Sequence, residues 1–522
     1  MSGQLDELKQ RMARLSDLKY ASALASWDQQ TKMPTRGAES RADVLATLAE
    51  LRHGEFTDAK TGRLIEAAAA ELGGADPDSD DARLIEAVRR DWEKARRVPG
   101  SLTAELAHAG SRGQELWIAA RQASDFKAFQ PALAHNVDLA RRYVDCHLGH
   151  DGYECAYDVL LDDYEPQMRT AQVSALFDEL KGELVPMIAA IRDSAGVDAT
   201  PVQVRFPIEG QRALSREIVE LMGFTDQGWR LDDTVHPFAT GVGDGDVRIT
   251  TRYDENYWPM ALFGSMHECG HGLYEEGSAL AHPRSPLGAV DSLAMHESQS
   301  RLWENMVGRG RSFATVLAPR VAEYCGGPLA GIDPDYLFRA VNRVQPSFIR
   351  VEADEATYAL HIILRFELEQ ELVEGTLNVA DAAEAWRARF QEYFGLEVTD
   401  DADGILQDVH WSAGLLGYFS TYALGNLIAG QLWERAHEDL PDLEAALAAG
   451  QLGGLREWLR EHVHRHGAKF PTAELLQREL GAPISVAPFV RYLKDKLGDV
   501  YGLSFEREGE GVHSSNASHE SE

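Results

Sequence analysis

Apolar residues recur at three- and four-residue spacing along almost the whole chain, and this regularity limits the possible fold more than any other feature. SRADVLATLAELRHGEF (40–56), TGRLIEAAAAELGG (61–74) and DARLIEAVRRDWEKARR (81–97) each repeat it, as helices burying one face do. The same spacing predicts helices over 102–122, 126–148, 171–195 and 211–223, and the Pro/Asp/Ser segment ADPDSDD (75–81) breaks one pair of them. No fixed-period repeat is visible, so a solenoid is not expected. The pattern changes between 201 and 253. There PVQVRF alternates in the manner of a strand, and VHPFATGVGDGDVRITTRY holds two extended runs around a Gly/Asp turn, as a hairpin does. Helical spacing resumes at Asn256 and runs to about residue 497. The fold class expected is all-α, with one small β-sheet near the middle of the chain.

Composition narrows the functional classes. The chain has 522 residues, 84 acidic and 51 basic, for a formal charge of −33. Such a chain repels phosphate backbones and anionic lipid, so neither nucleic acid nor a membrane surface is expected as a partner. Four cysteines without C-x-x-C spacing read as reduced thiols. The opening MSGQLDELKQRMARL lacks a signal-peptide core, and the longest nearly apolar run, LLGYFSTYALGNLIAG (415–430), is too short to span a bilayer. A cytoplasmic location is expected. Residues 506–522 are polar and acidic, the composition of a disordered tail.

The segment GSMHECGHGLYEEG (264–277) carries the chemistry. Residues four apart share a helix face, so His267 and His271 can turn two imidazoles toward one ion. Glu268 is rotated off that pair, where it can serve as a general base. A hydrolytic zinc site takes three protein ligands and keeps one position open. The third histidine of the extended motif is absent, so a carboxylate is needed. Glu297, in the predicted helix AVDSLAMHESQSRLWENMVG (289–308), is the candidate, and Glu275 and Glu276 are its rivals on the helix of the pair. His296 is expected to support the site rather than bind the ion. Donors for an oxyanion are sought in GILQDVHWSAGLLGYFSTYALG (404–425), which offers His410, Tyr418 and Tyr422 in an apolar setting. Gln407 and Asp408 are placed to orient a ligand histidine. A guanidinium that holds a free carboxylate could be Arg350, or Arg248 on the strand DVRIT.

Taken together these segments resemble the zinc metallocarboxypeptidases of the carboxypeptidase Taq type. HPF (236–238), DVRIT (246–250), HECGH (267–271), HESQ (296–299), IRVEAD (349–354) and GILQDVHW (404–411) match that family's patterns in its order, and SWDQQTKMPTRGAESR (26–41) is similar as well. The resemblance covers the chain from about residue 20 to the end of its ordered part. It implies an elongated helical fold, two lobes around a deep central groove, formed by a single catalytic domain over 1–505 and assembled as a homodimer. It also implies release of single C-terminal amino acids from peptides with broad specificity, proline being poorly accepted. One Zn2+ per chain would be bound by His267, His271 and Glu297, with Co2+ or Mn2+ as acceptable substitutes. Glu268 would be the general base, and Arg350, Arg248 and His236 would bind the substrate's C-terminal end. His410 and Tyr422 would stabilise the oxyanion, with Tyr418 the alternative to Tyr422. Ser420, between the two tyrosines, stands where the family often has proline.

Overall fold

The computed structural model describes residues 3–505. The expected tail, 506–522, lies outside the described residues. Helices account for most of the fold, and one three-stranded sheet interrupts them. Among the described residues no helix is long and apolar enough to cross a membrane.

The N-terminal helices Gln4–Thr31, Ala59–Leu72 and Asp80–Arg97 close a small core of their own around Leu8, Met12, Ile65, Leu84 and Val88. The last of them shows how local sequence sets its ends. Ser79 caps it by accepting from Ala82 N, Asp80 and Asp81 open it, and Lys94, Arg96 and Arg97 close it, charges matched to the helix dipole. Helix Ala38–Thr57, by contrast, buries no residue. From Phe126 onward the remaining helices share one continuous apolar core.

The hairpin forms as expected: β2 (Ala239–Gly243) pairs antiparallel with β3 (Asp246–Thr251), and Gly245 turns the chain at φ +74°. The third strand is not the one expected. PVQVRF does not extend; residues 200–202 form a 3-10 turn, closed by Asp198, whose Oδ1 accepts from Thr200 N and Oγ1. β1 (Trp229–Asp233) lies instead in WRLDD and pairs parallel with β3. Its apolar-polar alternation runs for only four residues, Trp229 to Asp232, and its polar side chains serve ion pairs: Arg230 holds Asp232, which also meets Lys32.

Helix Pro259–Ala281 carries the histidine pair, with Pro259 in its first turn, where a missing N–H costs nothing. Gly277 lies inside this helix. A Cβ there would fall 2.6 Å from Cβ of His464, so the glycine admits a neighbouring segment rather than stopping the helix. The predicted helix 289–308 is shorter and changes character. It starts at Leu293, capped by Ser292 accepting from Met295 N at 2.9 Å, and at Leu302 it widens into a π-helical turn that ends at Gly308. Two glycines bring three helices close around this segment. Gly270 lets the 259–281 helix approach the backbone of Gln299 and Ser300, and Gly425, in helix Ser420–Asp439, lies directly against Glu297.

Candidate metal centre and active site

His267, His271 and Glu297 present one ligand atom each within 4.8 Å of one another, and they form the one such group of three among the described residues. The geometry follows from the two helices. The histidines face out of one helix, their rings 4.8 Å apart and nearly perpendicular, and Glu297 reaches toward them from the next. Its Oε2 lies 3.8 Å from His267 Nε2 and 3.7 Å from His271 Nε2. No hydrogen bond joins these atoms, and the spacing suits three donors converging on one divalent ion. Two imidazoles and a carboxylate are a donor set that such an ion accepts.

The other atoms of all three side chains are held from outside. Arg301, one turn on, donates its Nε–H to Glu297 Oε1 at 2.6 Å, which turns Oε2 toward the histidines. His267 Nδ1 meets Glu304 Oε2 at 2.9 Å, and His271 Nδ1 meets the His296 carbonyl at 3.0 Å. Both contacts leave Nε2 to face the centre. Burial works against a charge on His271 and holds its pKa well below the usual histidine range. For His267 burial works the same way, but Glu297 and Glu304 outweigh it and raise the pKa. Glu304 was not singled out by the sequence. Its only local signal is its place three residues after Arg301 and seven after Glu297, on the same side of a helix.

The rival ligands are engaged elsewhere. Glu275 accepts from Gly241 N on β2 and meets His296 Nε2 at 3.2 Å. Glu276 accepts the indole N–H of Trp229 on β1 at 2.9 Å. The sheet therefore removes both carboxylates from the competition. His296 supports the site as expected: its ring stacks on His271, centroids 4.2 Å apart and planes at 27°. Glu268 is buried. That burial, with Glu297, Glu304 and Glu275 nearby, pushes its carboxyl up to about 7 against the opposing pull of His267.

His410, Tyr418 and Tyr422 come together. His410 Nε2 and the Tyr422 hydroxyl are 3.3 Å apart, and the Tyr418 and Tyr422 rings meet edge to face at 5.3 Å. Burial and then the positive charge of Arg350 push His410 down to about 4, so the ring is neutral near pH 7. Burial raises both phenols, which keeps them protonated donors.

Arg350 is buried and already bonded. Nε and Nη2 both donate to Asp408 Oδ1, at 3.0 and 2.8 Å, and Nη1 donates to the Tyr358 hydroxyl at 3.0 Å. Asp408 also takes Arg365, by Nε to Oδ2 at 2.7 Å. Two guanidiniums against one carboxylate leave this group with net positive charge. The expectation that Gln407 and Asp408 orient a ligand histidine is corrected here. Asp408 holds the two arginines, and Gln407 Oε1 accepts from Arg350 N at 2.8 Å; the ligand histidines are steered by Glu304 and His296. The segment 404–411 is folded against 347–350 through these bonds, and neighbourhood in sequence to His410 gave no hint of it. Arg248 pairs with Asp246 and lies over Trp27, 4.3 Å from the ring centroid. His236 is exposed between β1 and β2. Neither is hydrogen-bonded to the triad among the described residues.

A helical body with two histidines on one helix, a glutamate on the next and a buried carboxylate beside them defines a metallopeptidase of the H-E-x-x-H class. Residues 7–497 match the family described as "Carboxypeptidase Taq (M32) metallopeptidase", and the chain belongs to that family. It is 40% identical to thermostable carboxypeptidase 1 of Thermus thermophilus, over 95% of this chain and 98% of that protein. It is 36% identical to carboxypeptidase 1 of Bacillus subtilis, over 94% and 97%. The structure superposes on the crystal structure of the M32 carboxypeptidase from Deinococcus radiodurans R1 with a TM-score of 0.92 and 37% identity, covering 96% of this chain and all of that one. The protein is a metallocarboxypeptidase, and its family implies a divalent metal, for which the triad is the candidate site.

Proposed function

We propose that the chain is a zinc carboxypeptidase that releases single C-terminal amino acids from peptides with broad specificity. The observation that carries this reading is the convergence of Glu297 Oε2 on the Nε2 atoms of His267 and His271, beside a buried Glu268. When bound, Zn2+ supplies a Lewis acid that polarises the scissile carbonyl and lowers the pKa of a water toward ~7. Glu268 takes the proton of the attacking water and passes it to the leaving amine, a role suited to a carboxyl poised near 7. Neutral His410 and the protonated phenol of Tyr422, with Tyr418 as the alternative to it, donate to the developing oxyanion, at roughly 3–4 kcal/mol per donor. Arg350 binds the substrate's terminal carboxylate, supported by the net positive charge it shares with Arg365 and Asp408. Arg248 and His236 extend that recognition along β3 and the loop before β2.

Mass spectrometry of an oligopeptide digest after metal reconstitution tests this. A ladder of single-residue losses from the C-terminus is expected. Internal cuts or dipeptide release would overturn the exopeptidase assignment.

Two finer properties belong to the same reading. Four free cysteines suit a reducing, cytoplasmic compartment. Helix Ala38–Thr57 buries nothing and exposes Val44 and Leu51 at 46% and 55%, an apolar face suited to a homodimer contact. Light scattering of the purified chain checks the dimer; a monomeric mass at micromolar concentration would remove it.

A further inference from the structure

The π-helical turn Leu302–Gly308 carries Glu304, the carboxylate that fixes His267 Nδ1. A π turn is wider than an α-helix, is rare, and occurs frequently at functional sites. The C-terminal helix Ala487–Tyr501 is hydrogen-bonded to this one. The carbonyl of Asn305, next after Glu304, accepts from Lys496 Nζ at 3.1 Å and from the Tyr492 hydroxyl at 3.2 Å. Lys496 also pairs with Glu355 Oε2 at 2.7 Å. Glu355 opens helix Glu355–Glu374 directly after the 349–354 segment that contains Arg350. Both ions are buried, their side chains 6% and 9% exposed. Burying such a pair can cost more than its attraction returns unless further hydrogen bonds satisfy the ions, and Lys496 makes them to Asn305 O and to the Tyr492 hydroxyl. A cavity of about 340 Å³, lined by Glu304, Asn305, Arg301 and Glu355, lies along this contact. Water entering it would compete for the Asn305 carbonyl if Lys496 let go.

We infer that Lys496 is a positioning residue for the metal centre: with Tyr492 it latches the Asn305 carbonyl, and through the π turn it aims Glu304 at His267. The same ammonium ties this turn to Glu355, at the end of the segment that carries Arg350. The ion and its support are therefore coupled to the substrate-binding side of the site. The inference rests on the metal reading of the triad and not on the exopeptidase specificity.

Zinc affinity measured by competition with a chromophoric chelator tests it on the full chain. Lys496→Met, matched in length and apolar, is expected to weaken zinc binding about tenfold, in the range that supporting contacts of metal ligands contribute. Lys496→Arg should restore most of it. Glu304→Gln should weaken binding by itself, and adding Lys496→Met to it should cause no further loss. Unchanged affinity in Lys496→Met, or losses that multiply in the double variant, would overturn the latch. Should Lys496→Met fail to fold, Tyr492→Phe with and without Glu304→Gln decides the same question, since it removes one bond to Asn305 and leaves the ion pair. Absence of zinc binding in the unmodified chain would instead bring down the metal reading itself.

Discussion

Gly425 lies so close to Glu297 that a Cβ on it would fall 2.7 Å from both Cβ and Cγ of the glutamate. The proposed third metal ligand is thus backed by a bare stretch of the 420–439 helix, one turn after Tyr422. The approach of the two helices and the position of Glu297 depend on one missing side chain. Gly425→Ala should push Glu297 out of register. Overpacking of this kind costs about 1–3 kcal/mol, and zinc affinity should fall about tenfold or more alongside it. Paired measurements of thermal midpoint and chelator competition check this; an alanine variant with unaltered affinity would show that Glu297 can relax away.

Arg301 Nε holds Glu297 Oε1 at 2.6 Å, and its guanidinium lies 4.1 Å from the centre of the Tyr358 ring. Lysine keeps the charge and loses the planar fork. Arg301→Lys should therefore weaken metal binding roughly 10- to 100-fold, with less effect on the Michaelis constant at saturating metal. Equal metal affinity in the two proteins would count against the orienting role.

Glu268 touches none of the ligand-supporting bonds, so chemistry and metal retention should separate. Glu268→Gln should keep one ion per chain and lose roughly 10²–10⁴-fold in turnover. Tyr422→Phe should lower turnover roughly 10²–10³-fold with little change in the Michaelis constant. Tyr418→Phe is the comparison: a larger loss there than in Tyr422→Phe would reverse their assignment. Metal content and steady-state rates, measured on the same preparations, decide both.

Glu369 is fully buried and accepts from the Tyr157 hydroxyl at 2.6 Å, the Trp411 indole at 2.7 Å and Gly417 N at 3.1 Å. It thereby ties down both ends of the loop between His410 and Tyr418. Burial raises its carboxyl to about 7 despite these three donors. A carboxyl with a raised folded pKa binds its proton more tightly folded than unfolded, so its contribution is fully present below the ordinary pKa near 4.5 and is lost as pH climbs through 7. The shift corresponds to about 3 kcal/mol at most. The stability of Glu369→Gln relative to the parent should accordingly improve between pH 5 and 8. Denaturation midpoints across that range check it, and a constant difference would contradict the buried, proton-holding state.

Much of the site is written in local pattern. The histidine pair, Glu268 and the β2–β3 hairpin follow from residue spacing within one element, where periodicity alone fixes which side chains share a face. Glu297 is preferred over Glu275 and Glu276 on the sequence, because those two follow the pair on the same helix. What the sequence does not show is that β1 and β2 engage both rivals, through Trp229 and Gly241. Strand β1 itself was hidden, since its alternation spans only Trp229 to Asp232, too short a run to stand out from its surroundings.

The sequence by itself determined the helical body and the shared face of His267 and His271 with Glu268 turned off it, because each depends on contacts between residues a few positions apart. Only the tertiary structure decided what holds them. Glu304 reaches His267 through a π turn, Asp408 serves Arg350 and Arg365 rather than a ligand histidine, and Gly425 makes room for Glu297. Those partners are brought together by helix packing across long stretches of chain. Such packing is set by shape and burial summed over the whole core, which no local spacing records.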